Sequence, residues 1–206
     1  MDTKQEILQM TESLFMRYGI KSVTMDDIAR ELGISKKTLY QFVDNKQDLI
    51  EQSFQKHIEE ELLIIQHIQK DAKDSIDEML KIARYVIKMV KKVSPTVMYD
   101  LEKYYRKTFM QMKELHSRHI FNYILDNINR GIEKGIYRKD IKPELIAKIY
   151  VTNTSHNFGS ELFPMTNDEI QALIREYAIY HIHGIATSLG LECLNEYIDT
   201  NLNNID

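Results

Sequence analysis

The chain has 206 residues with 27 basic and 31 acidic side chains, a net charge of −4, so the molecule as a whole does not attract nucleic acid and any DNA affinity has to come from a local patch. Hydrophobic residues at 43% are ordinary for a soluble globular protein, and this length suits one domain or a small domain joined to a larger one. A lone cysteine, Cys193, excludes an internal disulfide framework; with no signal peptide and no apolar run near the ~20 residues of a membrane helix, a cytoplasmic location is expected.

In chain order, Ile7, Leu8, Thr11, Leu14, Phe15 and Tyr18 fall on one face at helical period, which predicts a helix from about Thr3 to Tyr18, ended by Gly19. It reads as a support helix; Tyr18 serves that support, and Lys21 in the following loop could touch a phosphate. Thr24 then caps a second helix whose N3 residue is Asp27, a capping box with a carboxylate in place of the usual Glu. Ile28 and Leu32 bury one face, Ala29 leaves room for a crossing helix, and Gly33 ends the element because glycine enters the left-handed conformation without a Cβ penalty. Ser35 caps a third helix running to Phe42, with Leu39 and Phe42 inward. Lys36 with Tyr40 and Lys37 with Gln41 form outward i, i+4 pairs.

Cations, an amide, a phenol and hydroxyls on one short helix are the groups that hold phosphates and base edges. The stretch TMDDIARELGISKKTLY therefore reads as a helix-turn-helix, and an ordinary helical hairpin with solvated lysines is the competing reading. Asp44, Asn45 and Lys46 open a long fourth helix to about Gln69, whose free N–H groups and Lys46 suit a phosphate. The candidate DNA-binding residues are Thr24, Ser35, Lys36, Lys37, Thr38, Tyr40, Gln41 and Lys46. Of these, Thr24, Tyr40 and Lys46 are expected on phosphates, and Lys36, Lys37, Thr38, Tyr40 and Gln41 in the major groove.

From Ile7 to Leu49 the sequence closely resembles the N-terminal domain of the tetracycline-repressor (TetR) family of bacterial transcription regulators. The marks are Leu14-Phe15 before Tyr18-Gly19, the block Thr24 to Ala29, Gly33 to Ser35, Thr38-Leu39-Tyr40, and Lys46 with Leu49. Phe42 and Val43 stand where many members carry histidine and phenylalanine. The resemblance implies an all-α fold: a three-helix head over residues 1–47, then a larger helical ligand-binding and dimerisation domain over residues 48–206. It also implies that Lys46 contacts a phosphate and that the fourth helix links head to body.

Beyond Asp74 the chain reads as helices over Ser75 to Val93, Pro95 to Tyr105, Arg106 to Lys134, Pro143 to before Pro164, and Asn167 to Leu189, with a tail helix from Leu191 to Leu202. Gly131 to Tyr150 resembles the joint before the last two helices of the family. Ile170, Ile174, Tyr177, His181, Gly184, Ile185 and Ser188 make one stripe and Ile146, Ile149, Tyr150 and Asn153 another; they are the candidate dimer interface, or they bury against their own chain. Two-fold pairing suits a head with too few base contacts of its own.

The middle of the chain is rich in Met and Tyr, adaptable groups that suit a pocket for a mostly apolar ligand. Tyr85, Met89, Tyr99, Tyr104, Phe109, Met112, Phe121 and Tyr123 are the candidate lining, with Asn153 and His156 as polar markers, and core packing is the alternative for each. His116 and His119 share a face with Glu114 nearby, yet no third or fourth ligand is fixed by spacing, so no metal or other cofactor is expected. No phosphate-cradling glycine loop, nucleophile elbow or zinc-protease signature is present, and the many carboxylates read as solvation, so an enzyme is not expected. The expected partners are a palindromic operator, a second copy of the chain and a small effector. The alternative is a helix-turn-helix protein whose body senses nothing and is controlled by a protein partner.

Overall fold

A computed structural model describes residues 3–92, 94–157 and 165–198, except the side chains of Pro95 and of residues 155–157. Its helices are α1 (Thr3–Tyr18), α2 (Met25–Glu31), α3 (Lys36–Leu39), α4 (Lys46–Asp71), α5 (Ser75–Val90), α6 (Pro95–Tyr104), α7 (Arg106–Glu133), α8 (Pro143–Asn157), α9 (Asn167–Ile185) and α10 (Ser188–Ile198). The all-α class is as expected. Among the described residues the only β feature is an isolated bridge between Tyr137 and Ala186, and no helix is long and apolar enough to cross a membrane.

By their contacts the residues form two compact units, Met1–Leu63 with Lys92–Glu114, and Ile64–Lys91 with Leu115–Asp206. In the first, Ile7, Leu8 and Phe15 of α1 pack with Ile28 of α2, Leu39 of α3 and Leu49 and Ile50 of α4. Val97 and Leu101 of α6 join that same core and are fully buried. At roughly 1.5–3 kcal/mol for each such side chain, α6 is an integral part of this unit. Its seat is tight: a Cβ on Gly19, whose φ is +82°, would lie 3.0 Å from Thr96 Cγ2.

The second unit gathers Ile76, Leu80 and Ile87 of α5, Ile124 and Ile128 of α7, Ala147 of α8, Ile174 and Ile182 of α9 and Leu194 of α10. Here the last long helix stops at Ile185, four residues before the expected end. The reason is tertiary: Arg138 N donates to Ile185 O (2.8 Å) and Thr187 N to Ile136 O (2.9 Å), so the chain at Ala186 is drawn into extended backbone. Thr187 Oγ1 then accepts from Gly190 N at 3.2 Å and starts α10. Tyr137 fixes the other side of this joint. Its ring lies on Gly131, where a Cβ would meet Tyr137 Cδ2 at 2.1 Å, and its hydroxyl reaches Ser75 O and Asn127 Oδ1, both at 3.1 Å.

The carboxylates are not all solvated, which corrects the sequence reading. Asp77 and Glu78 of α5 are buried. Asp77 Oδ2 accepts from Lys73 N (2.9 Å) and pairs with Lys81 Nζ (3.0 Å), while Glu78 accepts two bonds from the Arg130 guanidinium, each 2.9 Å, and one from the Tyr123 hydroxyl. Buried carboxylates persist when every oxygen is met in this way.

His181 of α9 is buried, its Nε2 has no hydrogen-bond partner among the described residues, and burial pushes its pKa down to about 4 from the ordinary 6.5. A depressed histidine makes the unfolded chain the better proton acceptor, so stability is complete above pH 6.5 and declines as pH falls toward 4. The gap corresponds to about 3 kcal/mol at most. His181→Phe should therefore lose less stability than the parent between pH 7 and pH 4.5, measured by urea unfolding. Equal losses would mean that His181 is not the titrating group.

Candidate nucleic-acid interface

The head is built by local chemistry. Thr24 Oγ1 accepts from Asp27 N at 3.1 Å while Thr24 N donates to Asp27 Oδ2 at 2.9 Å, the reciprocal bonds of the expected capping box. The Thr24 hydroxyl donating to Asp27 Oδ2 at 2.6 Å, then the Thr24 N–H and Arg30 on the same carboxylate, hold Asp27 below its usual pKa. After Leu32, Gly33 takes φ +65° and Ile34 N reaches back to Ala29 O at 3.0 Å, which closes the turn between α2 and α3. Ser35 caps α3 by accepting from Thr38 N at 3.0 Å, and the two hydroxyls of Ser35 and Thr38 share a 2.8 Å bond.

α3 is a single turn, shorter than the predicted run to Phe42. Gln41 N and Phe42 N bond to Thr38 O and Leu39 O, and the chain turns so that Val43 takes the core position while Phe42 is only half-buried. Ser35, Lys36, Lys37, Tyr40 and Gln41 are exposed together on this turn, with Thr38 half-buried beside them. Lys36 Nζ pairs with Asp26 Oδ2 at 2.8 Å across the two helices. That pair is exposed and therefore weak enough to be exchanged for a phosphate. Lys37 has no ionic or hydrogen-bond partner among the described residues.

Lys46 sits differently from the others. It is partly buried, with Nζ donating to Ile20 O at 2.5 Å, and burial lowers its pKa. Asn45 caps α4 through Asp48 N at 3.0 Å. Lys46 thus ties the start of α4 to the loop after α1. Tyr18, read as a support residue, is half exposed with Arg17 over its ring.

Residues 7–52 match the model of a family described as bacterial regulatory proteins, tetR family. The HTH-type transcriptional regulator YhgD of Bacillus subtilis is 24% identical over 86% of this chain and 95% of its own. IcaR of Staphylococcus aureus, named as a negative transcriptional regulator of the biofilm operon icaADBC, is 27% identical over 65% of this chain and 67% of its own. A transcriptional regulator from Cytophaga hutchinsonii shares the fold at a TM-score of 0.75 and 16% identity, over 89% of this chain and 98% of that one.

The N-terminal segment of this chain, residues 7–52, is a tetR-type regulatory domain. The relatives that the chain resembles are named HTH-type transcriptional regulators, which supports a DNA-binding regulator. The groups expected to line a TetR-type ligand pocket fall in both units. Tyr99, Tyr104, Phe109 and Met112 lie in the first, where Phe109 and Met112 pack against the core and Tyr99 and Tyr104 are exposed. Tyr85, Met89, Phe121, Tyr123 and Asn153 lie in the second. Of these Tyr123 is engaged by Glu78, and Asn153 Nδ2 approaches the Tyr177 hydroxyl at 3.5 Å. The His156 side chain lies outside the described residues.

The second unit carries an open groove of about 250 Å³ between the end of α4 and α5, lined by His67, Ile68, Asp71, Lys81, Arg84, Tyr85 and Lys88. Only Tyr85 was expected there. Three cations on α5 at helical spacing were the sequence signal, obscured because each alone reads as a solvated face.

Of the stripe on α9, Ile174, His181 and Ile185 are buried within the unit, and Tyr150, Tyr177 and His181 pack together, with Tyr150 and His181 ring centroids 4.8 Å apart. Ile146, Ile170 and Tyr177 are half-buried. Gly184 and Ser188 are exposed, and a Cβ on Gly184 would meet nothing within 4 Å. Among the described residues of α8, α9 and α10, the exposed large apolar groups are Leu145 and Ile149 of α8, Tyr180 of α9 at 75% exposure, and Leu189 of α10.

Proposed function

We propose that this regulator is a homodimeric repressor that leaves a palindromic operator when a small effector binds its body. The observation that carries the DNA contact is the exposure of Ser35, Lys36, Lys37, Tyr40 and Gln41 on one capped turn, with a core under Leu39 that fixes its orientation. Lys36, Lys37, Thr38, Tyr40 and Gln41 enter the major groove, and Thr24 and Lys46 hold the backbone beside it, Lys46 by leaving Ile20 O for a phosphate. Replacing Lys36 and Lys37 together by Ala should weaken operator binding by roughly 100-fold or more, at about 1–3 kcal/mol for each side chain removed from the groove. Circular dichroism should show an unchanged fold, since neither side chain is buried. Wild-type affinity in that variant would remove α3 from the interface.

Repression is supported by the name of the Staphylococcus aureus relative. Pairing is supported by the exposure of Leu145, Ile149, Tyr180 and Leu189 on the last three helices. Gly184→Leu, whose Cβ would meet nothing within 4 Å in its own chain, should lower dimer affinity; an unchanged sedimentation profile would move the interface elsewhere.

For the effector, Ile68 and the Tyr85 ring in the α4–α5 groove receive an apolar body, and Arg84 and Lys88 a negative group. Binding shifts α4 and alters the spacing of the paired heads, which requires unequal affinity for the two arrangements. If amphipathic acids change neither operator affinity nor melting temperature, the reading with a non-sensing body and a protein partner takes precedence.

A further inference from the structure

α6 carries a feature that support of the core does not explain. Tyr99 and Tyr104 are 55% and 43% exposed, and they flank two lysines. Lys21 Nζ donates to the Tyr104 hydroxyl at 3.1 Å and lies 4.4 Å from the ring centroid. Lys103 Nζ donates to the Tyr99 hydroxyl and lies 4.9 and 5.5 Å from the centroids of Tyr99 and Tyr104. The loop holding Lys21 is fixed from below, because Lys21 N donates to Asp100 Oδ2 at 2.8 Å. Asp100 is buried, and neither ammonium is paired with a carboxylate among the described residues. The result is two cations held by aromatic faces and phenol oxygens, with their charge left uncancelled. Glu102 is exposed on the same helix, and Arg106 and Lys107 follow at the start of α7, also exposed.

This patch is continuous with the backbone-holding part of the head. Lys21 stands three residues before Thr24, and the carbonyl of its neighbour Ile20 holds Lys46. Asp100, which anchors Lys21, also acts electrostatically on Lys46, as does Asp27 of the capping box. A phosphate chain that passes Thr24 and Lys46 therefore meets Lys21 and Lys103 next.

We propose that Lys21 and Lys103, oriented by Tyr104 and Tyr99, contact the duplex backbone outside the half-site read by α3, so that α6 forms part of the DNA interface. This inference rests on the DNA-binding reading above. The contact is to phosphates, so it adds affinity and salt dependence without changing base preference.

The test is operator binding by the full-length protein as a function of salt, on a long duplex and on one trimmed to the half-sites. Lys21→Ala/Lys103→Ala should bind the long duplex roughly 10- to 100-fold more weakly at low salt, and the slope of log K against log salt concentration should be shallower by about 0.9 for each phosphate no longer neutralised. Parent and variant should bind the trimmed duplex alike, and the same base sequence should be selected by both. Lys103→Arg, which keeps the charge, should retain the parent slope, and Lys103→Gln alone should show about half the change should the double variant unfold. Equal slopes for parent and double variant on the long duplex would overturn this inference and leave the role of α3 standing. Absence of duplex binding by the parent protein would overturn both.

Discussion

Arg130→Ala should destabilise the second compact unit by about 3 kcal/mol, the low end for breaking a buried ion pair because Arg130 keeps some contact with water. Glu78 is completely buried, and its carboxylate is met by both terminal nitrogens of Arg130 at 2.9 Å and by the Tyr123 hydroxyl. Without the guanidinium, a charge is left in a site with little water, and the loss reflects that stranded charge more than the strength of the pair. Arg130 also holds Asp126 at 2.8 Å, but that carboxylate is half exposed and adds little. Two companions separate these contributions. Glu78→Gln/Arg130→Ala should recover part of the loss, since no charge is stranded, and Arg130→Lys should lose less than Arg130→Ala because it keeps the charge but not the two-pronged bond. Urea unfolding followed by far-ultraviolet circular dichroism checks all three; an Arg130→Ala midpoint equal to that of the parent would show that the network carries no stability.

Gly190→Ala should be comparably damaging, by about 3 kcal/mol, although it adds one methyl group. The added Cβ would lie 2.4 Å from Ile136 O and 3.0 Å from Ala186 Cβ. Ile136 O cannot yield freely, because it accepts from Thr187 N at 2.9 Å in the joint that ends α9 and starts α10. Relief of the clash breaks that bond or lifts α10 from α5. The contrast is Gly184→Ala, with open space at its Cβ, which should stabilise an isolated subunit by up to about 1 kcal/mol through helix propensity. Thermal melts of the two variants should therefore move in opposite directions. A Gly190→Ala protein as stable as the parent would mean that the joint is looser than these distances require.

The head was legible in the sequence because its determinants are local. Thr24 with Asp27, Gly33 and Ser35 each act within a few residues, and each has the conformation and hydrogen bonds that its type requires. What failed locally was the length of α3: the chain turns after Leu39, so that Val43 is buried in the core and Phe42 packs against it only partly buried. The break at Ala186 was invisible because backbone pairing with residues 136–138 causes it, and those lie about fifty positions away in sequence. Likewise nothing in Val97 or Leu101 distinguishes a head-core residue from a body-core residue; only the packing of α6 decides it. The Met and Tyr residues read as one pocket because composition carries no position, and the fold divides them between two units and turns Tyr99 and Tyr104 outward. The burial of Glu78 was hidden in the same way, since Arg130, fifty-two positions later, is brought onto it by the fold.

The most direct test of the central claim is selection of binding sites by the purified protein from random duplexes at two salt concentrations. The account predicts an enriched palindrome with half-site centres about 10 bp apart or somewhat more, recovered less efficiently at the higher salt. Enrichment of a single asymmetric site would contradict the paired heads, and no enrichment at either salt would contradict specific reading of DNA by α3.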